Sequence, residues 1–166
     1  MKIKILFDKS VYAITILCIA LAFIPAVFLF VHFHTIALLM IIIFGILPLF
    51  IAALFAPRYY LLEKDKMIIK KVMGEIIINK NDIESITTIN PDMLKGSIRK
   101  CASGGFFGYW GLFYSKALKD FNMYAGSYSK NLVLIKRKTK KPYVITPKEI
   151  ENFMNAVSIY FENIKQ

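Results

Sequence analysis

The chain has 166 residues, 57% of them hydrophobic and 20% charged, with 22 Lys and Arg against 11 Asp and Glu. A mean hydropathy of +0.52 excludes an intrinsically disordered chain, which needs low hydrophobicity, and the length excludes a large multidomain enzyme. High apolarity beside a net charge of +11 implies different solvents for different parts of the chain.

From Ser10 to Pro57 there is no Lys, Arg, Asp or Glu, and the one strongly polar break is Val31-His-Phe-His-Thr35. Two apolar segments result, 11–31 and 36–56. Each reaches about 32 Å as a helix, against a hydrocarbon core of about 30 Å. Neither keeps the polar stripe of a buried helix in a soluble protein. The sequence predicts two transmembrane helices joined by a short turn. Residues 1–57 are then an N-terminal helical hairpin and 58–166 a second domain. A signal peptide is the rival for the first segment, with Lys2 and Lys4 as its basic region and Ala20-Leu-Ala22 as a cleavage pattern. The apolar run continues past that point, so an uncleaved helix is expected. Lys2, Lys4 and Lys9 precede the first segment, Arg58, Lys64, Lys66, Lys70 and Lys71 follow the second, and the turn has none. The positive-inside rule puts both termini in the cytoplasm. With no ionisable group inside either segment, an anchor is expected rather than an ion pathway. His32 and His34 lack a third ligand and read as a solvated turn, not a metal site.

Residues 58–166 hold 19 basic and 10 acidic residues. Short β-rich runs lie at 58–62, 67–72, 75–79, 83–89, 121–125, 131–136 and 142–145. A helical turn is expected at Asp82, and a Met73-Gly74 turn separates the second and third runs. This spacing predicts an antiparallel meander closing as a barrel or sandwich. Thr146-Pro-Lys-Glu149 is a helix-start signal, with Thr146 as cap. Ile150, Phe153, Met154, Val157 and Phe161 then recur at helical spacing and form one apolar face suited to plug a barrel.

The runs Tyr60-Leu-Leu, Met67-Ile-Ile-Lys, Asp82-Ile-Glu-Ser-Ile86, Ser103-Gly-Gly-Phe-Phe-Gly-Tyr-Trp-Gly111, Asn131-Leu-Val-Leu-Ile135 and Tyr143-Val-Ile-Thr-Pro147 carry a likeness: on them the chain resembles the small membrane-anchored bacterial proteins with a pleckstrin-homology-like domain. It covers roughly 58–161, a full domain length. It implies a seven-stranded, partly open barrel capped by a C-terminal helix, and no enzyme activity. The expected fold is thus a two-helix transmembrane hairpin plus a mainly-β PH-like barrel. The expected location is the bacterial inner membrane, multi-pass. Eukaryotic lipid-binding relatives carry a basic cluster ending in Arg across the first hairpin; here it reads Glu63-Lys-Asp-Lys66, then Lys70-Lys71.

Two runs are candidate contact surfaces. Gly104-Gly-Phe-Phe-Gly-Tyr-Trp-Gly111 lacks the spacing of a dinucleotide or P-loop fingerprint. It reads as a tight, kinked strand whose aromatics fill the barrel, or as a loop presenting Phe106, Phe107, Tyr109 or Trp110 to an interface or partner. Lys136, Arg137, Lys138, Lys140 and Lys141 crowd one hairpin tip. This is a solvated turn that blocks edge pairing, or a surface attracted to anionic lipid headgroups. Nucleic-acid binding is not expected, because no recognised motif accompanies the charge.

No catalytic set is visible. Residues 58–166 contain no His, and Cys101 has no base to activate it. Cys18 and Cys101 fall in different parts of the chain and are expected to stay unpaired. No cofactor or metal is expected. The leading function is a non-enzymatic, membrane-anchored binding or scaffold module that engages lipid headgroups or a protein partner, including a second copy. The alternative is an accessory subunit of a larger, transporter-like membrane complex.

Overall fold

The computed structural model describes residues 1–161, apart from the side chains of residues 25, 26, 29–38 and 40–42. The chain opens on a strand absent from the sequence reading, β1 (Lys2–Lys4). Its alternation of Lys and Ile puts Lys2 and Lys4 in solvent and buries Ile3 and, just beyond it, Ile5. β1 pairs antiparallel with β2 (Pro57–Leu62), Ile3 facing Tyr60. The helical stretch therefore lies between two neighbouring strands of one sheet.

That stretch comprises α1 (Lys9–Ile41), a π turn (Ile42–Ile46) and α2 (Leu47–Leu54). The expected turn at 32–35 is not there: helical backbone runs across it. Val31-His-Phe-His-Thr35 contains no Gly, Pro or Asn, so nothing in it stops a helix. The irregular turn comes instead at Gly45, just before Pro48. Among the described residues, no helix is long and apolar enough to cross a membrane. This overturns the two-helix transmembrane hairpin and, with it, the multi-pass inner-membrane location with both termini cytoplasmic. The side chains of His32 and His34 lie outside the described residues.

β2 continues antiparallel into β3 (Lys66–Lys71) and β4 (Glu75–Asn79), giving the order β1-β2-β3-β4. A short 3₁₀ turn, Lys80–Asp82, leads into β5 (Ile83–Thr88), where one helical turn was expected. The second sheet adds β6 (Ile98–Gly105), β7 (Gly108–Ser115), β8 (Lys119–Ala125), β9 (Val133–Arg137) and β10 (Tyr143–Ile145). Its order is β5-β9-β10-β8-β7-β6. β10 pairs parallel with β8, Val144 beside Met123, and every other pairing is antiparallel.

β1 joins the two sheets. Beyond its pairing with β2, the Leu6 amide donates to Thr146 O at 2.9 Å and the Lys148 amide to Lys4 O at 2.8 Å. The main core fills the space between, with Tyr60, Leu62, Met67, Ile69, Ile78, Ile86, Val133, Ile135 and Ile145 buried together. The last helix, α3 (Ile150–Tyr160), closes it with Phe153, Ala156 and Val157, and Phe161 follows. The expected plug is present, but Thr146 is not its cap. Glu149 stands at the cap position, and the Thr146 hydroxyl accepts from the Gly126 amide at 2.9 Å. A second cluster covers the other face of the six-stranded sheet, with Leu94, Phe113, Phe121, Met123 and Val144. The architecture is a mainly-β, PH-like fold with a C-terminal helix.

Tyr60 ties the first sheet to the second. Its hydroxyl donates to Tyr124 O at 2.6 Å and accepts from the Thr146 amide at 3.1 Å, in a fully buried site. Burial raises its pKa far above the usual value near 10, although the Thr146 hydrogen bonds pull the other way. Since the folded pKa exceeds the unfolded one, the stability from the neutral phenol is complete below about pH 10. It is lost as pH rises from there toward the folded value. Tyr60→Phe is expected to cost about 1–3 kcal/mol at neutral pH by leaving two buried backbone groups unpaired. It should also flatten the loss of stability above pH 10. Denaturant unfolding at pH 7 and pH 11 checks both effects. An unchanged alkaline slope would show that another group carries it.

Candidate functional site

The β6–β7 hairpin turns on Phe106 and Phe107, between the paired Gly105 and Gly108. Phe107 adopts a left-handed backbone with φ of +51°, an outlier for a bulky side chain that costs about 1–3 kcal/mol. Neighbours hold it there. Its amide donates to Thr15 Oγ1 of α1 at 3.0 Å, and Ser103 Oγ donates to Phe106 O at 3.1 Å. Phe106 is buried while Phe107 keeps 39% of its surface exposed, and the rings meet edge-on at 4.8 Å. Both ends of the helical stretch rest on this turn: Ile19, Phe23, Phe50 and Ala53 share a small cavity with the two rings.

The other aromatics of the run point elsewhere. Trp110 stacks on Phe55, just after α2, at 5.8 Å, and its buried indole N–H has no hydrogen-bond partner among the described residues. Tyr109 leans on Tyr128 at 5.2 Å, beside the second core cluster. Of Phe106, Phe107, Tyr109 and Trp110, Phe107 alone is strongly exposed. The sequence run is continuous, but its residues serve different neighbours.

The basic tip is largely neutralised where it stands. Lys136 pairs with Glu84 at 2.8 Å, Lys140 with Asp82 at 3.3 Å and Lys141 with Asp120 at 3.4 Å. Arg137 donates to Lys141 O at 2.8 Å and lies over the Tyr143 ring. Lys138 is exposed, and its amide donates to Asp82 O at 3.0 Å. Asp120 also accepts from Lys100 at 2.5 Å, and that hydrogen bond holds its carboxyl below the usual range. The tip lies at the Asp120 end of β8. The helical stretch joins at the Ala125 end, where Gly126 abuts Leu6 and Phe7. Five residues of strand, about 17 Å, separate the two.

The structure places a different set of side chains around Phe107. The β3–β4 turn is hydrogen-bonded to the end of the helical stretch, Val72 amide to Ala56 O at 3.0 Å and Met73 amide to Leu54 O at 2.8 Å. Val72 and Met73 remain 48% and 64% exposed. Val72, Phe107 and Arg58 border one cavity, and the Lys71 ammonium sits 5.2 Å above the Phe55 ring. Sequence reasoning missed this rim. The available signal was an apolar pair, Val72 and Met73, at a hairpin turn where polar residues belong.

Among the described residues, no three of His, Cys, Asp and Glu converge as a metal site. Cys18 is half-buried in α1 and Cys101 is exposed on β6, each a free thiol. The family described as Bacterial PH domain matches residues 58–159. No curated protein and no solved structure matches the chain.

Proposed function

Because the chain belongs to the bacterial PH domain family, we propose that it is a non-enzymatic binding module whose rim around Phe107 engages the headgroups of an anionic lipid surface. The observation that carries this reading is the strained, exposed Phe107, which shares a cavity with exposed Val72, next in sequence to exposed Met73. Backbone strain persists where the surroundings enforce it, and it clusters at contact sites. Arg58 and Lys71 flank these side chains, and among the described residues neither has a carboxylate within salt-bridge distance. Each basic group close to an anionic surface is worth about 1 kcal/mol. Exposed apolar side chains continue from the rim onto the helical stretch at Tyr12, Ile16 and Phe50, as expected of a contact surface. The basic tip serves this role less well. Lys136, Lys140 and Lys141 are paired with carboxylates, and the tip's distance from the rim exceeds a Debye length of about 8 Å at physiological salt.

The test floats the full chain with phosphatidylglycerol vesicles and with phosphatidylcholine vesicles at two salt concentrations. Binding should favour the anionic set and fade with salt. Phe107→Gly relieves the left-handed strain, so the fold is kept. It should weaken vesicle binding on the order of tenfold by removing one buried ring. Changing Lys138, Lys140 and Lys141 together to Gln should matter less than changing Arg58 and Lys71. Equal binding to both vesicle types would reject the reading.

A further inference from the structure

Where the helical stretch leaves and rejoins the barrel there is a cavity of about 360 Å³. That volume falls within the usual range for small-molecule sites, roughly 300–1,000 Å³. Its walls are almost wholly apolar, with Phe7, Val11, Ile16, Ala56, Val72 and Phe107 among them. Tyr12, Thr15 and Arg58 also line it, and Arg58 is its one charged residue. The β2–β3 pairing shifts register between Pro57 and Tyr59, so Arg58 occupies a bulge. A bulge re-aims a side chain, and bulges are over-represented beside sites. Arg58 is exposed and, among the described residues, has no acidic partner.

An apolar chamber with one unpaired cation in its lining matches a ligand of the same shape. We infer that this cavity binds one single-chain anionic amphiphile, the acyl chain lying against Val11, Ile16 and Val72 and the anionic head on Arg58. The inference deepens the lipid-surface reading and rests on it for the choice of an anionic head. A guanidinium gives a carboxylate or phosphate two parallel hydrogen bonds, which Lys cannot reproduce. The apolar walls favour the chain by the apolar area it removes from water.

The chain has one Trp, and Trp110 stacks on Phe55, next to Ala56 of the cavity wall. Bromine on an acyl chain quenches a nearby indole, so Trp110 reports occupancy. The full chain, held in an amphipathic polymer without detergent, is titrated with a brominated decanoate, a brominated decanol and a lysophosphatidylglycerol brominated on its acyl chain. Saturable quenching is expected from the two anions, and the tighter of them identifies the source of the head. The alcohol should bind about tenfold more weakly. Arg58→Gln should bring the anions down to the alcohol, and Arg58→Lys should restore only part of the difference. Equal quenching by alcohol and anions, or anion binding unaffected by Arg58→Gln, would overturn the inference. Flotation with anionic vesicles but no saturable quenching would also overturn it, while leaving the lipid-surface reading intact.

Discussion

Deleting residues 1–5 is expected to unfold the barrel at ordinary temperature, although these residues lie outside the 58–159 family match. Ile3 and Ile5 are each 6% exposed and belong to the main core. Truncating one buried Ile costs about 2–5 kcal/mol, so losing two removes about 4–10 kcal/mol. Whole domains are stable by only about 5–15 kcal/mol. The deletion also strips partners from the backbone on both sides. The Leu62 amide loses Met1 O at 2.9 Å, and the Lys148 amide loses Lys4 O at 2.8 Å. A barrel with both of those edges opened exposes its core from Tyr60 to Ile145. Thermal unfolding of the shortened chain, followed by circular dichroism, checks this. An unchanged midpoint would mean that β1 merely decorates the sheet. The milder Ile3→Ala should lower the midpoint by several degrees for each kcal/mol lost, since a domain of this size shifts about 2–8 °C per kcal/mol.

Much of the barrel could be read in advance because its strands are short β-branched apolar runs bounded by polar turns. Met67-Ile-Ile-Lys and Glu75-Ile-Ile-Ile-Asn79 announce β3 and β4, and the helical spacing of Phe153, Val157 and Phe161 announces α3. β1 was illegible for a physical reason. Its three residues, Lys2 to Lys4, run through Ile5 straight into an apolar stretch, and its partners are more than fifty residues away. A strand so short carries no local signal stronger than its context. β6 was hidden differently: its first half, Ile98 to Cys101, is exposed and carries Arg99 and Lys100, because it forms a sheet edge. The helical stretch misled through the His pair, which looked like a boundary by polarity alone. Polarity does not end a helix; a cap, Gly or Pro does. For the site, the sequence displayed charge at 136–141 and aromaticity at 104–111. It could not show that Asp82, Glu84 and Asp120, remote in sequence, would fold back onto the charge. Nor could it show that only Phe107 of the aromatic run would face outward.

Gly111→Ala is expected to be the most damaging single methyl added to the β6–β7 hairpin. Gly111 has φ of +110°, a region essentially closed to residues with a side chain, at about 1–3 kcal/mol. Space is closed as well: a Cβ there would overlap the Cys101 carbonyl oxygen and the Ala102 Cα of the neighbouring strand. Those are backbone atoms, which cannot rotate away, so β6 and β7 must separate. Gly96 supplies the control. Its φ is +70° and a Cβ there meets nothing within 4 Å, so Gly96→Ala carries backbone strain alone, about 1–2 kcal/mol. Gly111→Ala adds both the crowding and the less tolerant backbone, and should be the worse by at least about 1 kcal/mol, the scale of overpacking. Trp110 offers a second readout, because parting the strands next to it moves its ring off Phe55 and changes its emission. Equal denaturant midpoints for the two variants, with Trp110 emission unaltered in both, would show that the strands yield freely at Gly111. The Phe107 turn would then lack the rigid hairpin that holds its strained backbone in place.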